Sequence, residues 1–557
     1  MRHLSRRFIA TVLLFCALDL HAATYPPKTA IASAHPAATV AGLETIALGG
    51  NAFDAAVSVS AALAVVEPYG SGIGGGGFFL LRKGGDKPDY RFIDARERAP
   101  AAAHAAMYQM DGKVVPELSL NGALAAAIPG LPAGLVELAQ HYGRLPLRDS
   151  LAPAIRLARS GVSIDRVYIE RAQWRLEAMR KDKETARLFL DNGEVPQELA
   201  LFRQPELART LEQLGDQGRN GFYAGPVAQK MVNAVRAAGG IWTLQDLAKY
   251  RIAERQPLRV QLNNKRELIS APPPSAGGVA IAQSLLMLQQ LPWQQGTQVQ
   301  RTHLVVETLR RAYRDRGLLG DPDYVRNPVQ QLLAPAHIKT LLSNIDPNKA
   351  TPSASLPAAP DWHEGDHTTH FTVLDADGNA VAATLSVNLP FGAAFTVPGT
   401  GVLLNNEMDD FAADIQGSNT YGLSGSQANS IAAGKRPLSS MSPSFIESPE
   451  EFVSFGTPGG SRIPSMVLLA MLEYLDNQPI QRWPAVARYH HQYKPDVIEY
   501  EPGAFSPAQI QQLEQLGHQL KATSRPYGNQ QVLRWNKRTQ ALEAASDPRG
   551  IGLAEPQ

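Results

Sequence analysis

The sequence predicts an α+β protein, and three observations carry that expectation. Residues 52–65 read Ala-Phe-Asp-Ala-Ala-Val-Ser-Val-Ser-Ala-Ala-Leu-Ala-Val, rich in small helix formers, as a buried helix would be. Helical patterns dominate again over residues 118–342, with breaks at Pro129-Gly130-Leu131-Pro132 and Pro272-Pro273-Pro274. Strand-like stretches lie on both sides of that block, and the texture changes near residue 350.

In chain order, Gly49, Gly50 and Asn51 supply a turn and an N-cap for the first helix. The glycine-rich residues 70–77 follow it, then Phe78-Phe79-Leu80-Leu81 as a short buried strand and residues 90–94 as another. Residues 351–361 carry Pro352, Pro357 and Pro360, with Leu356 the one large apolar residue. They predict an exposed linker. Next, Thr369-His370-Phe371-Thr372-Val373-Leu374 reads as a strand, residues 375–379 as a turn, and residues 380–387 as a second strand, together a hairpin. A linker therefore ends at Thr368 and a hairpin begins. No fixed-period repeat is present, and both one and two large domains fit the length of 557 residues.

Formal net charge is +1 and no basic block stands out, so the electrostatic footprint of a nucleic-acid binder is missing. The first residues are basic, residues 8–18 are almost wholly apolar, and Ala22 and Ala23 follow, as in a secretory leader over residues 1–23. That run is short for a bilayer, and no later stretch of membrane-spanning length is apolar. A secreted, periplasmic protein is expected. The only cysteine, Cys16, falls within the leader, so the mature chain would lack a thiol nucleophile, disulfides and Cys-ligated metal.

Two motifs look like cofactor sites and fail on context. His363-Glu364-Gly365-Asp366-His367 matches H-E-x-x-H, which binds zinc only on a helix. Gly365 within it, Pro360 before it and the β-branched Thr368-Thr369 after it all oppose a helix. Gly72-Ile73-Gly74-Gly75-Gly76-Gly77 fits G-x-G-x-x-G but runs from helix into strand, the reverse of a dinucleotide fingerprint. It reads as a close-packed turn. No cofactor and no metal are expected. A lone threonine carries no signal either. Thr368 becomes chemically distinct only if the bond before it is cut, because a free α-amine of pKa about 8 can take the hydroxyl proton.

Four segments occur in order: Thr368-Thr369-His370-Phe371, Asn405-Asn406-Glu407-Met408-Asp409-Asp410-Phe411, Pro437-Leu438-Ser439-Ser440-Met441-Ser442-Pro443 and Thr457-Pro458-Gly459-Gly460-Ser461-Arg462. They resemble the γ-glutamyltransferases. Upstream segments extend the resemblance over nearly the whole chain after the leader, among them Arg96-Glu97-Arg98-Ala99-Pro100 and Leu319-Gly320-Asp321-Pro322.

The resemblance implies an N-terminal-nucleophile hydrolase, a four-layer αββα sandwich made as a proenzyme that splits itself between His367 and Thr368. Residues 24–367 would form a large subunit and residues 368–557 a small one, joined as a heterodimer. Thr368 would attack the γ-glutamyl amide of glutathione or a related compound and pass the acyl group to water, an amino acid or a peptide. Gly459 and Gly460 would form the oxyanion hole with their N–H groups. Arg96, Ser439 and Ser440 would hold the substrate α-carboxylate, and Asn388, Glu407 and Asp410 its ammonium. Read alone, Arg96 fits a surface ion pair with Glu97 or Asp94 equally well, and Asp409-Asp410 a capping or loop pair.

One departure stands out. The family places a second threonine opposite the nucleophile, and here that position is Ser386, which keeps the hydroxyl but loses the methyl that stiffens χ1. Tyr421, in Asn419-Thr420-Tyr421-Gly422-Leu423-Ser424-Gly425, matches the covering aromatic of a lid loop. The alternatives are a glutaryl or cephalosporin-type acylase on the same fold, a zinc hydrolase using His363 and His367, and an uncut exported binding protein.

Overall fold

The computed structural model describes residues 25–356, 367–412 and 426–556. The elements that position the site are, in chain order, β1 (Ala30–Ser33), α1 (Pro36–Ala47), α2 (Ala52–Val66), β2 (Gly76–Lys83) and β3 (Asp89–Ala95). Helices α3 (Leu131–His141), α4 (Leu147–Ser160) and α5 (Arg166–Lys181) follow, then β4 (Ala253–Arg255), β5 (Leu258–Gln261) and β6 (Glu267–Ser270). Next come α6 (Gly277–Leu288), α7 (Gln298–Arg316), β7 (His367–Leu374), β8 (Ala380–Asn388), β9 (Ser444–Glu447) and β10 (Glu451–Gly456). The chain closes with α8 (Ile463–Leu475), β11 (Gln531–Asn536), β12 (Leu542–Ser546) and β13 (Leu553–Pro556).

Helix α2 starts where its capping residues dictate. The Asn51 side chain accepts from the N–H groups of Phe53 and Asp54 at 2.9 and 3.1 Å, and Asp54 accepts from the Asn51 N–H at 2.9 Å. All 15 residues of α2 are buried. Its many small side chains let it pack between the first sheet and the neighbouring helices α1, α3 and α4.

Two sheets form the centre of the molecule. The first has the order β13-β1-β7-β8-β2-β3-β4 and the second β12-β11-β10-β9-β6-β5. Along the first sheet the period of two separates the faces. Ile31, Phe79, Ile93, Phe371, Val373 and Val381 pack into one core with α1, α2, α3 and α4. The alternate residues Phe78, Leu80, Phe92, Leu374 and Ala382 enter a second core with Leu268, Phe445 and Val453 of the second sheet and with α6, α7 and α8. The layers are thus helix, sheet, sheet, helix, the αββα sandwich expected. Strands from both sides of the His367–Thr368 bond contribute to each sheet.

The hairpin forms as read. Asp375 shapes its turn by accepting from the N–H groups of Asp377 and Asn379, each at 2.9 Å. The linker expectation holds only in part. Ser353 and Leu356 are buried, because the Ser353 N–H donates to Asp496 at 2.7 Å and its hydroxyl accepts from Arg310 at 2.7 Å. The rest of the expected linker, with His363, lies outside the described residues, as do the leader and Tyr421.

Candidate active site

The position of Thr368 follows from the face of β7 that meets the second sheet. Thr372 donates to Ser454 of β10 at 2.6 Å. Two residues earlier, the His370 ring lies against Gly456, where an added Cβ would be 2.0 Å from the ring. Two residues earlier again, Thr368 reaches Pro458 and Gly459 and lines one cleft of about 240 Å³ with them. His370 is no base: burial pushes its pKa down to about 3, and it spends Nδ1 on Thr384 at 2.8 Å.

The pairing between β7 and β8 slips at this point. His367 pairs with Asn388, but Thr369 pairs with Leu385, so Ser386 and Val387 lie opposite Thr368 alone. This bulge frees Thr368 from regular pairing and aims it at the cleft. His367 opens a strand, so the helix that the zinc reading needs is not formed at its second histidine. The Ser386 hydroxyl accepts from the Asn388 N–H at 2.8 Å, and Asn388, held at φ +75°, donates from Nδ2 to the Asn406 carbonyl at 3.0 Å. Beside them, a Cβ on Gly75 would stand 2.2 Å from the Ser386 carbonyl, which accounts for the glycine run sterically.

Gly459 and Gly460 follow β10 with φ +138° and +55° and lead into α8. A side chain at Gly459 would strike Met466 at 2.4 Å. Left-handed backbone of this kind favours glycine at both positions.

Arg96 follows β3 and is buried, so it is no surface ion pair. Its Nη1 lies 2.8 Å from Glu407 and its Nη2 2.5 Å from Asp410, while Glu97 is more distant at 3.9 Å. Backbone carbonyls of Pro437 and Leu438 accept from Nε and Nη2, both at 3.3 Å. The neighbouring Ser440 hydroxyl accepts from Arg316 at 2.8 Å, and Ser439 accepts from the Met441 N–H at 3.1 Å. The adjacent acids have parted: Asp410 meets Arg96, whereas Asp409 takes a hydrogen bond from Ser119 at 2.5 Å, and burial pushes its pKa up to about 6. Burial likewise pushes Glu97 up to about 8.

The structure therefore gathers Arg96, Glu407, Asp410, Ser439 and Ser440 into one cluster, and Thr368, Ser386, Asn388 and Gly459 into a second. Gly76 joins them. It pairs with Ser386, and a Cβ there would lie 2.6 Å from Glu97. Sequence reasoning missed Glu67 and Arg316. Glu67 accepts from the Thr369 hydroxyl at 2.8 Å and from Tyr69 at 3.2 Å, and burial raises its pKa. An acid closing the apolar run 52–66, just before the glycines, was the available signal.

Residues 38–556 match the family model described as gamma-glutamyltranspeptidase. A glutathione hydrolase proenzyme of Pseudomonas aeruginosa is 39% identical over 515 residues, covering 91% of this chain and 90% of that one. The Escherichia coli glutathione hydrolase proenzyme is 36% identical over 531 residues, 94% of this chain and 90% of that one. Among solved structures, a cephalosporin acylase from Bacillus halodurans superposes with TM-score 0.83 at 24% identity, covering 100% of this chain and 98% of that one, a likeness of fold. Helicobacter pylori gamma-glutamyltranspeptidase matches with TM-score 0.56 at 36% identity, over 58% of this chain and 94% of that one.

Proposed function

Because the chain belongs to the γ-glutamyltranspeptidase family, we propose that it cuts itself between His367 and Thr368 and then uses Thr368 to open γ-glutamyl amides such as glutathione. The observation that carries this reading is the placement of Thr368 at a bulge, with Gly459 in the same cleft. In the first step the Thr368 hydroxyl adds to the His367 carbonyl carbon. The C–N bond breaks as the acyl group moves to oxygen, and water hydrolyses the ester, leaving a carboxylate on His367 and a free amine on Thr368.

That amine takes the hydroxyl proton as the oxygen attacks the γ-carbonyl of the substrate. Negative charge on the tetrahedral oxygen is met by the N–H groups of Gly459 and Gly460. Collapse breaks the amide C–N bond, the proton passes to the leaving amine, and a γ-glutamyl ester on Thr368 remains for water or an acceptor amine. Ser386 positions the turn opposite the nucleophile through the Asn388 N–H.

Arg96, with the Ser439 and Ser440 hydroxyls, is the site for the α-carboxylate, and Asn388, Glu407 and Asp410 for the ammonium. In the continuous chain the Arg96 guanidinium is already engaged by Glu407 and Asp410. A substrate zwitterion would enter this pre-formed ion network, its carboxylate on the cation and its ammonium on the acids. This set favours an α-amino-acid acyl group over a glutaryl one. The fragments 24–367 and 368–557 would stay together as a heterodimer, since each shares strands of both sheets. Among the described residues no helix is long and apolar enough to cross a membrane, and the leader-like residues 1–23 support export to the periplasm.

The test is N-terminal sequencing of the purified protein. Two fragments of about 37 and 20 kDa, the smaller beginning at Thr368, are expected from residue count. A fully active, uncut chain would end the proposal.

A further inference from the structure

Behind Gly459 and Gly460 runs a chain of polar side chains drawn from both sides of the His367–Thr368 bond. Ser461, the next residue, is buried, and its carbonyl accepts from the hydroxyl of Tyr313 on α7. Its own hydroxyl donates to Gln492 Oε1 at 2.9 Å. The Gln492 amide is oriented by its other end, where Nε2 donates to the Lys494 carbonyl at 3.2 Å, so Oε1 serves as acceptor. His490 Nε2, 2.9 Å from the same oxygen, is therefore a donor. That leaves His490 Nδ1 to accept from the Ser465 hydroxyl of α8 at 2.7 Å. One neutral tautomer of His490 satisfies every bond, and burial agrees by pushing its pKa down to about 3. Tyr313 also meets the His490 ring edge-on, with 5.3 Å between centroids. Residues 489–490 pair with residues 499–500, and Glu499 holds Arg462 at 2.9 Å. Ser461 and Arg462 are thus tied to one patch.

We propose that Tyr313, Ser461 and Gln492 are positioning residues for the oxyanion hole, fixing the loop so that the Gly459 and Gly460 N–H groups stay aimed at the developing charge. The inference rests on the reading of Thr368 as the acylated residue. Two successive glycines at positive φ have no side chains to hold them, so the loop is anchored at the first residue that can bond through both its hydroxyl and its carbonyl. An anchored donor needs no reorganisation as the oxyanion forms. Tyr313 belongs to residues 24–367 and the glycines to residues 368–557, so the large fragment shapes a hole built from small-fragment backbone.

The experiment compares the unaltered protein with Tyr313→Phe, which removes the hydroxyl and keeps the ring against His490. Acylation and deacylation both pass through an oxyanion, so kcat for a γ-glutamyl anilide should fall about tenfold at unchanged KM, the scale of one hydrogen bond. A boronic acid analogue of the γ-glutamyl group, bound to Thr368 as a tetrahedral anion, should lose affinity by a similar factor. Norvaline, which offers the α-amino-acid end without a γ-oxygen, should bind as before. Ser461→Ala, which severs the bond to Gln492, should show the same split, and it decides alone if Tyr313→Phe does not fold. Unchanged kcat and boronate affinity overturn the proposal, as does a loss that strikes norvaline and boronate alike. Failure of the Thr368 reading shows separately, as an absence of cleavage before Thr368 and of anilide release in the unaltered protein.

Discussion

Two arginines mark two regions of this molecule: Arg96 is buried, and Arg171 is half-buried. Arg96 lies among carboxylates and carbonyls, with Glu407, Asp410, Pro437 and Leu438 all within reach. Arg171 lies on α5 near Arg525, Glu170 and Glu67, with its buried Nη1 unpartnered among the described residues. The first region is assembled in the uncut chain, so its charges are compensated before any ligand comes. The second is a cleft whose arginines are offset by looser acids, Glu499 on Arg462 and Glu170 on Arg525. A cation alone therefore says little about a site; what surrounds it decides how closely it is held.

The largest test of this contrast is Thr368→Ala, since both regions matter chemically only through that hydroxyl. The variant should run as one uncut chain and lose activity by at least about a thousandfold, read by gel and by anilide release. Arg96→Ala follows. It would strand Glu407 and Asp410 as buried carboxylates, at a cost of about 3–5 kcal/mol in unfolding free energy by denaturant titration. Any folded fraction should show a steeply raised KM for γ-glutamyl donors, and an unchanged KM would place the carboxylate site elsewhere.

Asp409 sharpens the same comparison within two adjacent residues, because it has the Ser119 hydroxyl and a more remote Arg175 where Asp410 has a direct ion pair with Arg96. Its pKa, raised to about 6 from the ordinary 3.8, means the unfolded chain releases this proton first as pH rises. Its contribution is therefore fully present below about pH 4 and lost by about pH 6, a loss of order 3 kcal/mol. Asp409→Asn should flatten that part of the stability profile, and identical profiles for variant and parent would refute the assignment. The smallest effect is expected from Ser386→Ala, which leaves the Asn388 N–H without its acceptor at about 1–2 kcal/mol. Slower appearance of the Thr368 fragment, followed over time by gel, should accompany it.

Much of the first region was legible before any coordinates. The Asp409-Asp410 and Ser439-Ser440 pairs and Gly459-Gly460 stand in short segments that resemble the family's, and the resemblance picks them out; read alone, the acidic pair fits a cap or loop and the glycine run a close-packed turn. The α2 cap and the hairpin turn were legible in local pattern, since their hydrogen bonds close within four residues. Glu67 and Arg316 were not. Each is one charged residue among many, made special by a partner far along the chain: Glu67 by Thr369 and Arg316 by Ser440.

The sequence by itself determined the helical and strand-like segments and the point at which a linker becomes a strand, because these depend on periodicity and on neighbours in the chain, while the layer pattern and the motif residues followed from the family resemblance. Only the tertiary structure decided that Thr368 and Gly459 line one cleft, that Asp409 and Asp410 part, and that Arg96 is paired with Glu407 and Asp410. Those outcomes depend on sheet register and on burial. A slip of one residue in β7 would turn Thr368 to the opposite face of its sheet, and no local sequence signal reports that register.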